Sequence, residues 1–122
     1  MDMNEYQRAV SGEREAGYTI VTICGSMRFF KQMLQVAADE TVKGNVVLAP
    51  FSVVAPADQG SDLKALLDEL HFEKIRMCSQ IIVVTNQNGY VGDSTRREMG
   101  YALSIGKDMD VREFYIAEDE AA

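Results

Sequence analysis

The sequence predicts an α/β fold: a single-domain flavodoxin-like or Rossmann-like sheet of 4–5 mainly parallel strands with helices on both faces. Three observations carry this. Short apolar, β-branched runs recur along the chain: YTIVTIC at 18–24, VVLAP at 46–50 and IIVVT at 81–85. They are almost continuously apolar rather than alternating, as strands covered on both faces are. Between them lie longer stretches of helical spacing, and strand alternating with helix is the pattern of a parallel sheet with crossover helices.

Residues 1–17, interrupted by Ser11, Gly12 and Gly17, read as a short lead-in. The run at 18–24 is the first strand and stops at Gly25-Ser26. A helix follows, with Phe30, Met33, Leu34, Ala37, Ala38 and Thr41 on its apolar side and Gly44 as its C-terminal glycine. The second strand, 46–50, ends in proline, and 51–60 reads as loop. Ser61 is placed to cap a second helix whose apolar positions are Leu63, Leu66, Leu67 and Leu70, continuing to Ile75 and Cys78. After the third strand comes GYVGDSTRREMGYALSIGK, a third helix with Met99, Ala102 and Leu103 inward and Gly106 at its end. A weak last strand around 111–116 completes a domain expected over 18–116, before an acidic, solvated tail at 117–122.

The length of 122 residues suits one domain with its own apolar core. A net charge of −7 argues against a nucleic-acid polymer as partner, because a phosphate backbone needs a basic face. A small nucleotide needs only a few local donors and stays open. Cys24 and Cys78 sit in or beside apolar runs, which suits buried free thiols in a reducing, cytoplasmic setting. No leader is recognisable and no apolar run is long enough to cross a bilayer, so no membrane partner is expected. No spacing of His, Cys or carboxylates suggests a metal, and no cofactor is expected.

Ligands of such sheets bind outside the C-terminal strand ends. Three polar clusters fall there: Gly25-Ser26-Met27-Arg28, the loop after Pro50, and 86–95. The first is a small-residue turn into a helix, with free N–H groups, a hydroxyl on Ser26 and a guanidinium on Arg28 that suits phosphate or carboxylate. It also reads as a tight turn capped by Ser26. The third admits two readings as well. Thr95-Arg96-Arg97-Glu98 matches a capping box, in which Glu98 folds back on its own backbone, and Asp93 or Ser94 are alternative caps. Otherwise Glu98 is a carboxylate kept ionised near a helix N-terminus, as a nucleophile must be.

CGSMR at 24–28, the apolar strand IIVVT, and a loop leading to E-x-G-x-A and then GK together resemble the nucleoside 2-deoxyribosyltransferase superfamily, which includes nucleoside 5′-monophosphate N-glycosidases. The matching positions are Gly25, Ser26 and Arg28, then Glu98, Gly100, Ala102, Gly106 and Lys107. The resemblance implies that Glu98 attacks the anomeric carbon, expels the base and leaves a glycosyl-enzyme. It implies that Gly25, Ser26 and Arg28, with Ser94 and Thr95, hold a phosphate or the polar edge of the sugar; Arg96, in the loop that departs from the family, is a further phosphate candidate. Members usually carry an aspartate on the helix before the third strand. Here that neighbourhood is LHFEKIRMCSQ, so His71 or Asp93 is expected to meet the leaving base, with Glu73 and Asp58 as further candidates. The DSTRR loop is more charged and poorer in glycine than in relatives.

The expected activity is a retaining N-glycosidase or 2-deoxyribosyltransferase acting on a nucleoside or nucleoside 5′-monophosphate, with no cofactor, in a homo-oligomer (dimer or larger). The competing expectation is a non-catalytic nucleotide-binding sensor or sequestering module using the same rim. A scaffold subunit with no ligand is the third.

Overall fold

The computed structural model describes Asn4 and residues 17–50 and 62–117. The expected lead-in up to residue 16, the loop at 51–60, the Ser61 cap and the tail beyond 117 lie outside the described residues. Four strands, β1 (Ile20–Gly25), β2 (Val46–Leu48), β3 (Gln80–Asn86) and β4 (Asp108–Phe114), form one all-parallel sheet in the order β2-β1-β3-β4. Three helices connect them: α1 (Phe30–Val42), α2 (Asp62–Met77) and α3 (Asp93–Ser104). A 3-10 turn at Met27–Phe29 leads into α1.

The strand order decides where the helices go. The β1-to-β2 connection runs toward one edge of the sheet, while the other two connections run toward the opposite edge. Right-handed crossovers then put α1 on one face and α2 with α3 on the other. The core divides accordingly. Val21, Ile23, Ile82 and Val84 meet Phe29, Met33 and Val36 on the α1 side. Cys24, Ile81 and Val83 meet Ile75 and Ala102 on the other. Alternate residues of β1 and β3 thus serve opposite cores, which is why both strands read as unbroken apolar runs.

The helices are placed as expected, but their apolar faces are turned. Phe30 and Leu34 are exposed, and the inward line of α1 is Met33, Val36 and Glu40. The cause is the 3-10 turn, which buries Phe29 and makes the stripe run at 29, 33, 36 and 40, one position earlier than the leucine and alanines suggested. On α2, Leu63, Leu66 and Leu70 face outward, while His71 and Ile75 are buried. On α3, Ala102 is buried but Leu103 is exposed. The last strand begins at Asp108, three residues before the expected Val111.

α1 and α3 close with the same device. Gly44 and Gly106 take positive φ (88° and 79°), and the next residue's N–H reaches five back, Asn45 to the Glu40 carbonyl at 3.1 Å and Lys107 to the Ala102 carbonyl at 2.9 Å. Each closure aims the chain into its strand. Glu40, nearly buried, accepts hydrogen bonds from Arg112 on β4 and from Asn45 Nδ2 at 3.0 Å, tying α1 to the far edge of the sheet.

Candidate active site

The strand order reverses direction between β1 and β3, so a crevice opens outside their C-terminal ends. A cleft of about 600 Å³ lies there. Gly25, Ser26 and Met27 line it from the end of β1 and Pro50 from beyond β2. Lys64, Leu67, Asp68, Leu70, His71, Glu73, Lys74 and Met77 line it from α2. Gly92, Asp93, Ser94, Thr95 and Glu98 line it from the start of α3.

The β1 exit is tight. A Cβ on Gly25 would lie 3.1 Å from Met33 Sδ and 3.3 Å from the Val84 carbonyl oxygen, so β1 and β3 approach each other most freely with glycine there. Ser26 then caps the 3-10 turn, its Oγ accepting from Arg28 N at 3.2 Å. On the other side, Asn86 Oδ1 accepts from the N–H groups of Asn88 and Tyr90, both at 3.0 Å, which shapes the loop from β3 to α3. That loop presents the Tyr90 ring to Arg28, whose guanidinium carbon lies 5.0 Å from the ring centroid.

The capping box does not form. α3 begins at Asp93 with Gly92 as N-cap, and no side chain makes a capping hydrogen bond there. Thr95 is the third helical residue and is buried, and Glu98 is the sixth, too far along to fold back on the cap. Two consequences follow. The first-turn N–H groups lie at the cleft wall without a side-chain cap, and Glu98 is free to face the cleft with its side chain 14% exposed.

The surroundings set the charge of that carboxyl. Burial, the largest influence, and the nearby charge of Asp68 push the Glu98 pKa up to about 7, against the pull of Lys64 and Arg97. Desolvation therefore outweighs the helix N-terminus that the sequence suggested would keep Glu98 ionised. His71 sits below it, with Nε2 3.7 Å from Glu98 Oε2. Burial, reinforced by Lys74 and opposed by Asp68 and a weak polar contact with the Ile23 backbone, lowers the His71 pKa to about 4. At neutral pH the ring is uncharged, so its contact with Glu98 is not an ion pair. Nδ1 is buried and makes no hydrogen bond of good geometry. Cys24 completes the group from β1, its Sγ 3.6 Å from His71 Nε2. Burial, then Glu98, then Cys78 push the Cys24 thiol well above its ordinary range.

Of the residues singled out in the sequence, Gly25, Ser26, His71, Asp93, Ser94, Thr95 and Glu98 converge on the cleft. The Asp93 side chain, 92% exposed, points to solvent and pairs with Arg96 at 4.0 Å. Arg28 and Arg96 are not among the lining residues. Glu73 lines the cleft, and Asp58 lies outside the described residues. Asp68, paired with Lys64, was not anticipated. Its signal was present: 64, 68 and 71 are spaced by four and three and so share one face of α2. Cys24 was read only as a core thiol, because nothing in local spacing links it to positions 71 and 98.

The fold and this cleft define an α/β domain with a candidate site at the topological switch point. No protein family and no curated protein matches the chain in sequence. Among solved structures, the chain is similar to a 2-deoxyribosyltransferase from Leishmania mexicana at TM-score 0.59 and 22% identity, over 78% of this chain and 64% of that one. A CMP N-glycosidase from Clostridium botulinum matches at TM-score 0.46 and 17% identity, over 84% of this chain and 93% of that one. The first match shows that the chain has the fold of that deoxyribosyltransferase, which is the fold implied by the sequence resemblance. The chain spans less than two thirds of that protein's length. Among the described residues, no helix is long and apolar enough to cross a membrane.

Proposed function

We propose that the protein is a retaining N-glycosidase or 2-deoxyribosyltransferase acting on a small nucleoside or nucleoside 5′-monophosphate, with Glu98 as nucleophile. The observation that carries this reading is the freedom of Glu98: it makes no bond to its own helix cap and stands at the wall of a nucleoside-sized cleft at the switch point. In its ionised form one oxygen bonds to C1′ as the C1′–N bond breaks, and the bond's electron pair leaves with the base. Water or a second base then displaces Glu98 and restores the carboxylate.

The open first turn of α3, with Ser94 and Thr95, and the Gly25-Ser26 turn supply donors for a 5′-phosphate or the sugar's polar edge. Arg28 and Arg96 reach such a phosphate only by leaving Tyr90 and Asp93. His71, neutral at pH 7, meets the leaving base as an uncharged donor. Asp93 does so only if its carboxylate turns in from solvent. Asp68, on the helix before β3 and already in the cleft wall, is a further carboxylate we place beside the base, as a hydrogen-bond acceptor.

Base release from a panel of nucleosides and 5′-monophosphates, followed by chromatography, is the test. Turnover in the native chain that falls by about a thousandfold or more in Glu98→Gln, with ligand still bound, is expected. On the acid side, kcat/KM should rise with a midpoint near the Glu98 pKa of about 7, as the nucleophile ionises. Tight binding with no base released, unchanged by Glu98→Gln, would instead identify the sensor.

Two further readings accompany this one. The free, buried thiols of Cys24 and Cys78 suit a reducing, cytoplasmic setting. The outward leucines of α2, at 63, 66 and 70, suit a homo-oligomer, so Leu66→Glu should lower the mass seen by analytical ultracentrifugation. A native chain that sediments as a monomer would refute that assignment.

A further inference from the structure

Cys24, His71 and Glu98 come from three separate elements, β1, α2 and α3, and each points one ligand-type atom at the same small volume. Cys24 Sγ, His71 Nε2 and the Glu98 carboxylate oxygen all lie within 4.8 Å of one another. Two of the separations are short: 3.6 Å from sulfur to nitrogen and 3.7 Å from nitrogen to oxygen. Ligands held at zinc-like bond lengths around a tetrahedral ion stand about 3.5 Å apart. Two of the three spacings therefore match what a single ion needs, and the third, sulfur to carboxylate within 4.8 Å, closes by side-chain movement of about 1 Å.

We propose that these three residues form a binding site for a thiophilic divalent cation of the zinc class, with the fourth coordination position open toward the cleft. The donor set is the argument for the class of ion. One sulfur, one imidazole nitrogen and one carboxylate oxygen are borderline-soft ligands, unlike the all-oxygen sets of magnesium or calcium. Bound as thiolate and carboxylate, Cys24 and Glu98 together cancel the ion's two positive charges, so the buried site ends neutral. The Cys24 S–H bond breaks as the S–metal bond forms, Glu98 gives up its proton wherever it holds one, and the protons pass to solvent. Entry is from the cleft: His71 and Glu98 line it, and Cys24, wholly buried, is reached past them. Three ligands and an open position leave room for one further donor from water or from a bound ligand.

A consequence for regulation rests on the reading of Glu98 as nucleophile. A carboxylate oxygen committed to the ion cannot attack C1′, so the loaded protein is switched off and a chelator switches it on.

The test begins with Co2+ alone, titrated into the metal-free full chain. One equivalent should bind and give visible ligand-field bands with a sulfur-to-cobalt charge-transfer band, and Zn2+ should displace it. The charge-transfer band should vanish in Cys24→Ala and persist in Cys78→Ala. Glu98→Gln and His71→Asn should each weaken Co2+ binding by at least about tenfold. No uptake, or a spectrum indifferent to Cys24→Ala, overturns the site. Should circular dichroism show that Cys24→Ala is unfolded, unchanged Co2+ affinity in Glu98→Gln and His71→Asn overturns it equally. Base release is read separately: metal uptake with no base release from any substrate counts against the glycosidase reading and leaves the metal site standing.

Discussion

Glu98 gives the sharpest prediction at the scale of a single residue, because burial has moved its pKa from 4.5 to about 7. The folded chain then binds more protons than the unfolded chain between those values, so unfolding free energy falls as pH rises across that window. The total fall from this one group is about 3 kcal/mol, at 1.36 kcal/mol per unit. Glu98→Gln removes it. With chelator present, urea unfolding should find Glu98→Gln no less stable than the native chain at about pH 4.5 and more stable by about 2–3 kcal/mol at about pH 8. Equal stability at the higher pH would mean that the carboxyl is better solvated than the structure places it. Glu98 was legible in the sequence because a helix start at a strand end is a local pattern, and His71 because it falls near the place on α2 where the resemblance puts an aspartate. Cys24 and Asp68 were not: the first joins the site by β1 and α2 packing across 47 positions, and the second was passed over for a histidine three residues on.

Elements were legible where their chemistry is one-dimensional. Strands β1 and β3 are apolar on both faces and declare themselves; the glycines after α1 and α3 stop their helices as expected. Helix phase was harder to read, since a leucine stripe such as 63, 66 and 70 looks like a core face whether or not anything covers it. The polar member of the α1 stripe is the informative case. Burial pushes the Glu40 pKa up, but hydrogen bonds from Arg112 and Asn45 and the charges of Arg112 and Lys43 outweigh it, leaving the carboxyl below its ordinary 4.5. A depressed folded pKa stabilises above the unfolded value and loses that contribution as pH falls through the folded one. Glu40→Gln, which leaves Arg112 beside Asp110 alone, should cost about 1–3 kcal/mol at neutral pH. The difference between native and variant should shrink below about pH 4.5, and a difference that stays constant would assign the loss to packing rather than charge.

For the whole molecule, the sheet order makes β3 the element on which everything else is built. It pairs along its full length with β4 and over five residues with β1, and its residues 81–84 are wholly buried between the two helix layers. β2 is the opposite case, three residues long, at the sheet edge, and paired only to β1. The helices that carry His71 and Glu98 pack over β1 and β3, so the site rests on the part of the sheet with most burial and least edge. Hydrogen exchange should separate the two. Amides at 81–84 should exchange only when the whole chain unfolds, while those at 46–48 open locally and exchange at least about tenfold faster, the factor that 1.4 kcal/mol of lower opening energy gives. Ligand bound in the cleft should slow exchange at 93–95 and leave 46–48 unchanged, because β2 meets the site only through the chain that leaves it. If the amides at 46–48 proved as protected as those at 81–84, stability would be spread evenly across the sheet. The site would then owe its rigidity to the helix layer instead.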